Sequence, residues 1–307
     1  MESFGSIECF VRSAEGGSFA EAARHLSLTP AAVGKSVAKL EARLGVRLFQ
    51  RSTRRLALTE AGKLFLDEVS SSLTTIQNAV ANLASAEGRP VGTLKVSMGT
   101  VVGCLYIVPL LGEFLKRYPD IIPDWHFDNR QVDLIGQGFD AAIGGGFELP
   151  QGVVARKLAP AHRVLVASPA YLAARPALLQ PEDLERCDGI LIRSPQTGRV
   201  RSWQLTHRNG EHGPLNLKPR MTMSDSQAAC IAADHGLGIA LVSMPFAVPW
   251  LASGKLLRVL PDWYVNDGNI CIYYAEHKLL PGKTRAFVDF IIEQFAEQQL
   301  GQRFSAI

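Results

Sequence analysis

The side chains with the clearest chemistry in this 307-residue sequence are cations. Arg24, Lys35, Lys39, Arg43, Arg47, Arg51, Arg54 and Arg55 fall within one early stretch, opposed there by a single acid, Glu41. Residues 1–60 carry 9 basic and 6 acidic side chains, and residues 61–307 carry 23 of each. The whole net charge of +3 therefore sits in the first fifth of the chain. Such an imbalance attracts a polyanion, and nucleic acid is the commonest one a protein meets.

Local signals say which elements must hold those charges. Ile7, Phe10, Val11 and Ala14 form one helical face that ends at Gly16-Gly17. "SFAE" then places Ser18 as N-cap with Glu21 three residues on, the pattern of a capping box. Thr29 caps a third helix with Pro30 at its first position and Gly45 at its end. Its apolar stripe is Val33, Val37, Leu40 and Leu44, while Lys35, Lys39 and Arg43 recur every four residues away from that stripe. Helix, tight turn, helix is a helix-turn-helix, and the small groups Thr29, Pro30 and Ala31 suit entry into a major groove. A polar basic tip, Arg51 to Arg55, lies between two short apolar runs like a two-stranded wing, where Arg51, Arg54 and Arg55 would reach phosphates or a narrow minor groove.

From Thr59 a long helix is expected. Leu66, Val69, Leu73, Ile76, Val80 and Leu83 step by three and four, a narrow heptad seam that suits a partner helix. The competing reading packs that seam against the chain's own C-terminal half. "SAEGRPVG", Ser85 to Gly92, reads as a linker. Beyond it strands alternate with helices: "TLKVSM", "IIPDWHF", "FDAAIG", "HRVLVAS" and "NICIYYAE" as strands, 102–117, "PAYLAA" and about 281–299 as helices. That alternation predicts an α/β sheet with ligands gathered at strand ends.

Other function classes find little support. The cysteines Cys9, Cys104, Cys187, Cys230 and Cys271 are odd in number and scattered, which fits a reducing compartment rather than a disulfide framework or zinc cluster. The opening "MESFGSIECF" has no signal-peptide pattern, so a cytoplasmic location is expected. The uncharged run Gly236 to Gly254 is interrupted by Pro245 and Pro249 and reads as a buried strand followed by a helix, not a membrane span. There is no GxSxG elbow, HExxH or P-loop, so neither an enzyme nor a cofactor or catalytic site is expected.

The stretch "SFAEAARHLSLTPAAVGKSVAKLEARLGVRLFQRSTRRLALTEAG", Ser18 to Gly62, with its core "AVxKxVxxLExxLGxxLFxRxxRxxxLTEAG", strongly resembles the DNA-binding domain of LysR-type transcriptional regulators. The resemblance extends over the rest of the chain. It implies an N-terminal all-α winged helix-turn-helix (1–59), a dimerising linker helix (60–88), and a C-terminal α/β effector domain (92–300) of two subdomains similar to periplasmic solute-binding proteins. Subdomain I would comprise 92–163 and 268–300, subdomain II 164–267. The implied partners are double-stranded DNA, a small-molecule effector of organic or aromatic acid type, and further copies of the chain, as a dimer through 60–85 and usually a tetramer. The implied DNA-contacting set is Ser18, Thr29, Pro30, Ala31, Gly34, Lys35, Lys39, Arg51, Arg54 and Arg55. Two positions depart from the family's pattern: Gly34 stands where Ser is general, weakening the helix by about 1 kcal/mol, and Gly144 stands where "DxAIR" has Arg.

The effector cleft implied by the resemblance takes Gly99, Thr100 and Val101 from the loop after the first strand, Asn129 from the end of the second, Gly145 and Phe147 from a glycine loop, Ser194 from the crossover, and Ser224 at a helix start. For Thr100 and Ser224, anion binding and helix capping need the same hydroxyl, and both readings stand. Arg193, Arg199 and Arg201 read as a solvated loop in preference to an anion site. Cys104 reads as a small buried thiol in preference to a redox sensor. His207 and His212 flank the hairpin turn "RNGE" and read as exposed in preference to metal-binding.

Overall fold

The computed structural model describes residues 4–50, 56–84, 89–146, 152–276 and 280–307. The chain divides into two units, Met1–Arg89 with Asp133–Phe139, and Pro90–Val132 with Asp140–Ile307.

In the first unit the capping signals act as read. Helix α1 spans Phe4–Gly16, α2 Phe19–Leu26 and α3 Pro30–Leu44. The Ser18 hydroxyl accepts the Glu21 N–H at 3.1 Å, and Thr29 Oγ1 accepts the Ala32 N–H at 3.2 Å. The reciprocal half of the expected capping box does not form, because the Glu21 carboxylate is drawn to Arg24 and the His25 ring one turn on. Gly45 ends α3 in the left-handed conformation (φ +71°), which a residue without Cβ adopts without strain. Strands β1 (Phe49–Gln50) and β2 (Ala57–Leu58) pair antiparallel as a wing, and α4 follows at Glu60–Ala84. Phe10, Val33, Leu40 and Leu48 are fully buried. Phe10 meets both Phe49 and Phe65 with ring centroids 5.4 Å apart. The first half of the α4 seam joins this core: Leu73 is buried and Leu66 and Val69 pack against it, whereas Ile76 is exposed.

The second unit is built on β3 (Gly92–Met98), β4 (Ile121–Phe127), β5 (Ala141–Gly145), β6 (Val153–Ala167), β7 (Asp188–Ile192), β8 (Gln204–His207), β9 (His212–Pro214), β10 (Lys218–Met223), β11 (Ile239–Ser243), β12 (Leu257–Val259) and β13 (Trp263–Ala275). Its helices are the short α5 (Thr100–Val102), α6 (Leu111–Arg117), α7 (Pro169–Ala173), α8 (Ser226–Asp234), α9 (Met244–Ala252), α10 (Gly282–Glu297) and α11 (Leu300–Arg303). The main sheet runs β10-β7-β11-β6-β13-β5-β3-β4. Two parallel triplets, β10-β7-β11 and β5-β3-β4, flank the antiparallel pair β6/β13. Mixed sheets of this kind place helices over buried apolar strands. The uncharged run at Gly236 to Gly254 becomes β11 and α9, and among the described residues no helix is long and apolar enough to cross a membrane.

The segment expected as one helix over 102–117 is interrupted. A π-helical turn at Gly103–Ile107 and a 3-10 turn at Val108–Leu110 separate α5 from α6, since Pro109 has no N–H for an α-helical bond. The turn buries Gly103, Tyr106 and Ile107 and leaves Cys104 exposed, which corrects the expectation of a buried thiol there.

Candidate nucleic-acid interface and effector cavity

In the first unit, α3 turns Val33, Val37 and Leu40 into the core and holds Lys35 and Lys39 exposed. Among the described residues neither ammonium has an ion-pair partner, whereas Arg24 is bound to Glu21 and Arg47 to Glu41. Thr29, Pro30 and Ala31 are exposed at the start of the same helix, and Gly34 lies half-buried beside Phe19. Ser18 is half-buried, and its hydroxyl caps α2. Arg51, Arg54 and Arg55 lie outside the described residues.

Glu41, the one acid among these cations, is what composition could not place. It is 8% exposed. Its Oε1 accepts the N–H groups of Leu48 at 2.7 Å and Phe49 at 3.0 Å, and Oε2 meets Arg47 Nη1 at 3.3 Å. The carboxylate thus fixes the turn between α3 and the wing. On the wing's far side Thr59 Oγ1 donates to Arg47 O at 2.6 Å and accepts the Gly62 N–H at 3.0 Å, capping α4. A Cβ on Gly62 would fall 2.1 Å from Leu48 O, so the backbone approach requires glycine.

In the second unit, the C-terminal ends of the parallel strands converge on a cavity of about 570 Å3. Gly99 follows β3, Asn129 follows β4, Gly145 ends β5, Ser194 follows β7 and Ser224 follows β10, and all five line it. Ser224 is not the helix cap: Asp225 takes that role, its Oδ1 accepting the Ala228 N–H at 2.8 Å. Thr100 and Val101 correct the expectation. Thr100 is exposed, Val101 is buried, and neither lines the cavity; the Thr100 N–H is already bound to Asn129 Oδ1 at 3.1 Å. Phe147 lies outside the described residues. The departure at Gly144 falls on the lining itself.

The lining also holds side chains the sequence did not single out for a ligand. Arg130, Arg163, Arg193 and Arg201 face two carboxylates, Asp128 and Asp267. Arg193 and Arg201 are exposed, as the solvated-loop reading has them, and they also line the cavity; Arg199 is exposed and does not. Arg130 holds Asp128 through Nη2 at 2.7 Å and its backbone N–H at 2.9 Å, which keeps that carboxyl below the usual carboxylate range and ionised. Arg163 and Arg201 share Asp267 at 2.8 and 3.4 Å and lie over the Trp203 ring, at 4.9 and 4.0 Å from its centroid. The Arg193 guanidinium has no ion-pair partner among the described residues. Tyr273, its hydroxyl pushed up to about 12 by burial, remains protonated. Ser97, Ser202, Ser226 and Ser243 add hydroxyls. His207 stacks on Trp263 and His212 bonds Thr206 across the β8/β9 hairpin.

A basic helix-turn-helix with a wing, joined to an α/β unit whose strand ends surround a cavity of mixed apolar and charged lining, defines a ligand-responsive DNA-binding regulator. The chain belongs to the LysR family of transcriptional regulators: residues 4–63 match the bacterial regulatory helix-turn-helix of that family and residues 87–296 the LysR substrate binding domain. It is 33% identical over 286 residues to an HTH-type transcriptional regulator of Xanthomonas campestris pv. campestris, covering 92% of this chain and 83% of that one. It is 30% identical over 296 residues to the transcriptional activator TtdR of Escherichia coli K12, covering 96% and 94%. Among solved structures it is similar to the full-length Vibrio cholerae virulence activator AphB (27% identity, TM-score 0.59, 95% and 99% covered). CrgA from Neisseria meningitidis gives 27% identity and a TM-score of 0.58, with 95% and 98% covered.

Proposed function

We propose that this regulator reads DNA through the start of α3 and the wing, and that its cavity takes a small organic acid. Lys35 and Lys39, with no ion-pair partner among the described residues, would meet phosphates while Thr29 to Ala31 enter the groove; Arg51, Arg54 and Arg55 would extend the contact from the wing. The observation that carries the effector class is the charge of the cavity, four guanidinium groups against two carboxylates in a wall that is otherwise mainly apolar with several hydroxyls. An anion with hydrogen-bonding substituents complements it. Self-association through α4 fits the same reading, since two linked recognition helices bind a two-part site more tightly than one. Ile76, on the seam of α4, is exposed. The protein acts in the cytoplasm, and its role is binding without catalysis.

The test is a gel shift on DNA upstream of the gene, titrated with salt, followed by melting of the full chain against a panel of organic acids. Binding that weakens steeply with salt, together with an acid that raises the melting point, is the expected result. DNA affinity indifferent to salt, or no acid that binds, overturns the corresponding half.

A further inference from the structure

The crossing of β6 and β13 contains a defect with a specific occupant. Asn266 is opposite His162 and Asn269 opposite Pro160, so Asp267 and Gly268 face the single residue Ala161 as a bulge. Gly268 takes φ +81° there, and Gly146 on the facing loop takes φ +78°, where a Cβ would come within 2.7 Å of Asp267 Oδ2. Gly146 thus leaves room for the carboxylate at the cavity wall, while Gly268 supplies the left-handed backbone of the bulge. Asp267 is only 7% exposed, and it is held by two cations rather than one. Arg163, 24% exposed and bound at 2.8 Å, is its close partner; Arg201, 50% exposed and bound at 3.4 Å, is the looser one. Both guanidinium groups lie over Trp203, which fixes them as a stacked pair. Two cations per carboxylate leave one positive charge unanswered, and the half-exposed Arg201 is the one that carries it to the cavity.

We propose that Asp267 is an internal stand-in for the effector's carboxylate: it occupies the anion subsite formed by Arg163, Arg201 and Trp203, and the effector binds by drawing Arg201 away from it. The inference rests on the reading of the cavity as an organic-acid site and adds how that site is regulated. Arg163 neutralises Asp267 when Arg201 leaves, so no buried carboxylate is stranded. Arg201 presents a planar fork to the incoming carboxylate, and Trp203 supplies a flat face beside it. Exchange of Arg201 between the two anions releases the β13 bulge from the Val200 to Trp203 segment. Occupancy of the cavity is thereby transmitted to the pair of strands that crosses the unit.

The experiment uses the full chain and benzoate, a flat monocarboxylate, titrated calorimetrically. Asp267→Asn keeps the shape and removes the competing charge; benzoate affinity is expected to rise about tenfold over the wild type, or about 1.4 kcal/mol. Adding Arg201→Gln should abolish the gain. Equal or weaker affinity in D267N, or a gain that survives R201Q, overturns the proposal. Should D267N fail to fold, R201Q alone decides: its side chain is half-exposed, and benzoate binding should fall about tenfold if Arg201 is the subsite, whereas unchanged binding overturns it. Failure of the cavity reading looks different, since then no organic acid shifts the melting point of any variant. An acid that binds wild type and D267N alike sinks only the stand-in.

Discussion

Glu41 on the recognition helix accepts the backbone N–H of Leu48 at 2.7 Å, so the only acid in a run of cations serves the fold and leaves the surface to the lysines. A glutamate side chain here satisfies two buried donors at once, those of Leu48 and Phe49, where the chain turns from α3 into the wing. Glu41→Ala removes the acceptor both share, and each orphaned donor costs about 1–3 kcal/mol. Chemical denaturation should show a loss of about 2–6 kcal/mol in the first unit, with the second unit's transition unmoved.

Lys35 and Lys39 predict the opposite pattern. Each is exposed and has no ion-pair partner among the described residues, so Lys35→Ala and Lys39→Ala should leave the melting temperature unchanged and weaken DNA binding. The slope of log affinity against log salt should shrink by about one for each cation that meets a phosphate. Gel shifts at several salt concentrations measure it.

Gly34 sits in the interior of α3, and a Cβ built there would lie 3.8 Å from Phe19 Cδ2, an ordinary contact. Gly34→Ala should therefore stabilise the first unit by about 1 kcal/mol, the usual helix-propensity difference. A denaturation midpoint that falls would show that the helix needs glycine for closer packing.

His162 is buried, and its Nδ1 accepts the Ala306 N–H at 3.0 Å, which requires the neutral ring. Burial, then Lys157 and Arg258, push its pKa below the ordinary 6.5. The unfolded chain therefore takes up the proton first as pH falls. Stability from this residue is complete above pH 6.5 and is lost from there down to the lower folded value, at no more than about 1.4 kcal/mol per pH unit. His162→Gln, which keeps an acceptor and does not titrate, should flatten the pH dependence of the melting temperature in that window.

Lys283 Nζ and Asp140 Oδ2 form an ion pair at 2.8 Å with side chains 5% and 4% exposed. Lys283→Met leaves Asp140 buried without its cation, a change worth about 3–5 kcal/mol. Urea unfolding of the second unit reads it directly.

Local signals carried much of this organisation. Thr29, Pro30 and Gly45 mark the ends of α3 because caps and left-handed glycines act within a few residues. The strand runs Ile121–Phe127 and Ala141–Gly145 follow from their own apolar patterns. The cavity was less legible, because its wall is assembled by pairing between distant segments. Asp267 lies in "NDGN", which reads as a turn between strands, yet β13 runs through it as a bulge fixed by β6. Arg201 reads as solvated until Trp203 and Asp267 are brought against it. Thr100 misled for the reverse reason: the helix start was visible, but not the π turn that follows it.

The second unit also imposes an order on synthesis. Lys283 reaches back 190 positions to bond Thr93, and Phe287 and Phe290 pack on Phe114 in one core with Leu94. A chain growing from its N-terminus exposes β3, β4 and β5 long before α10 exists to cover them. These early strands must wait on the ribosome with their apolar faces open, which makes the nascent intermediate, rather than the finished regulator, the form most in need of a chaperone.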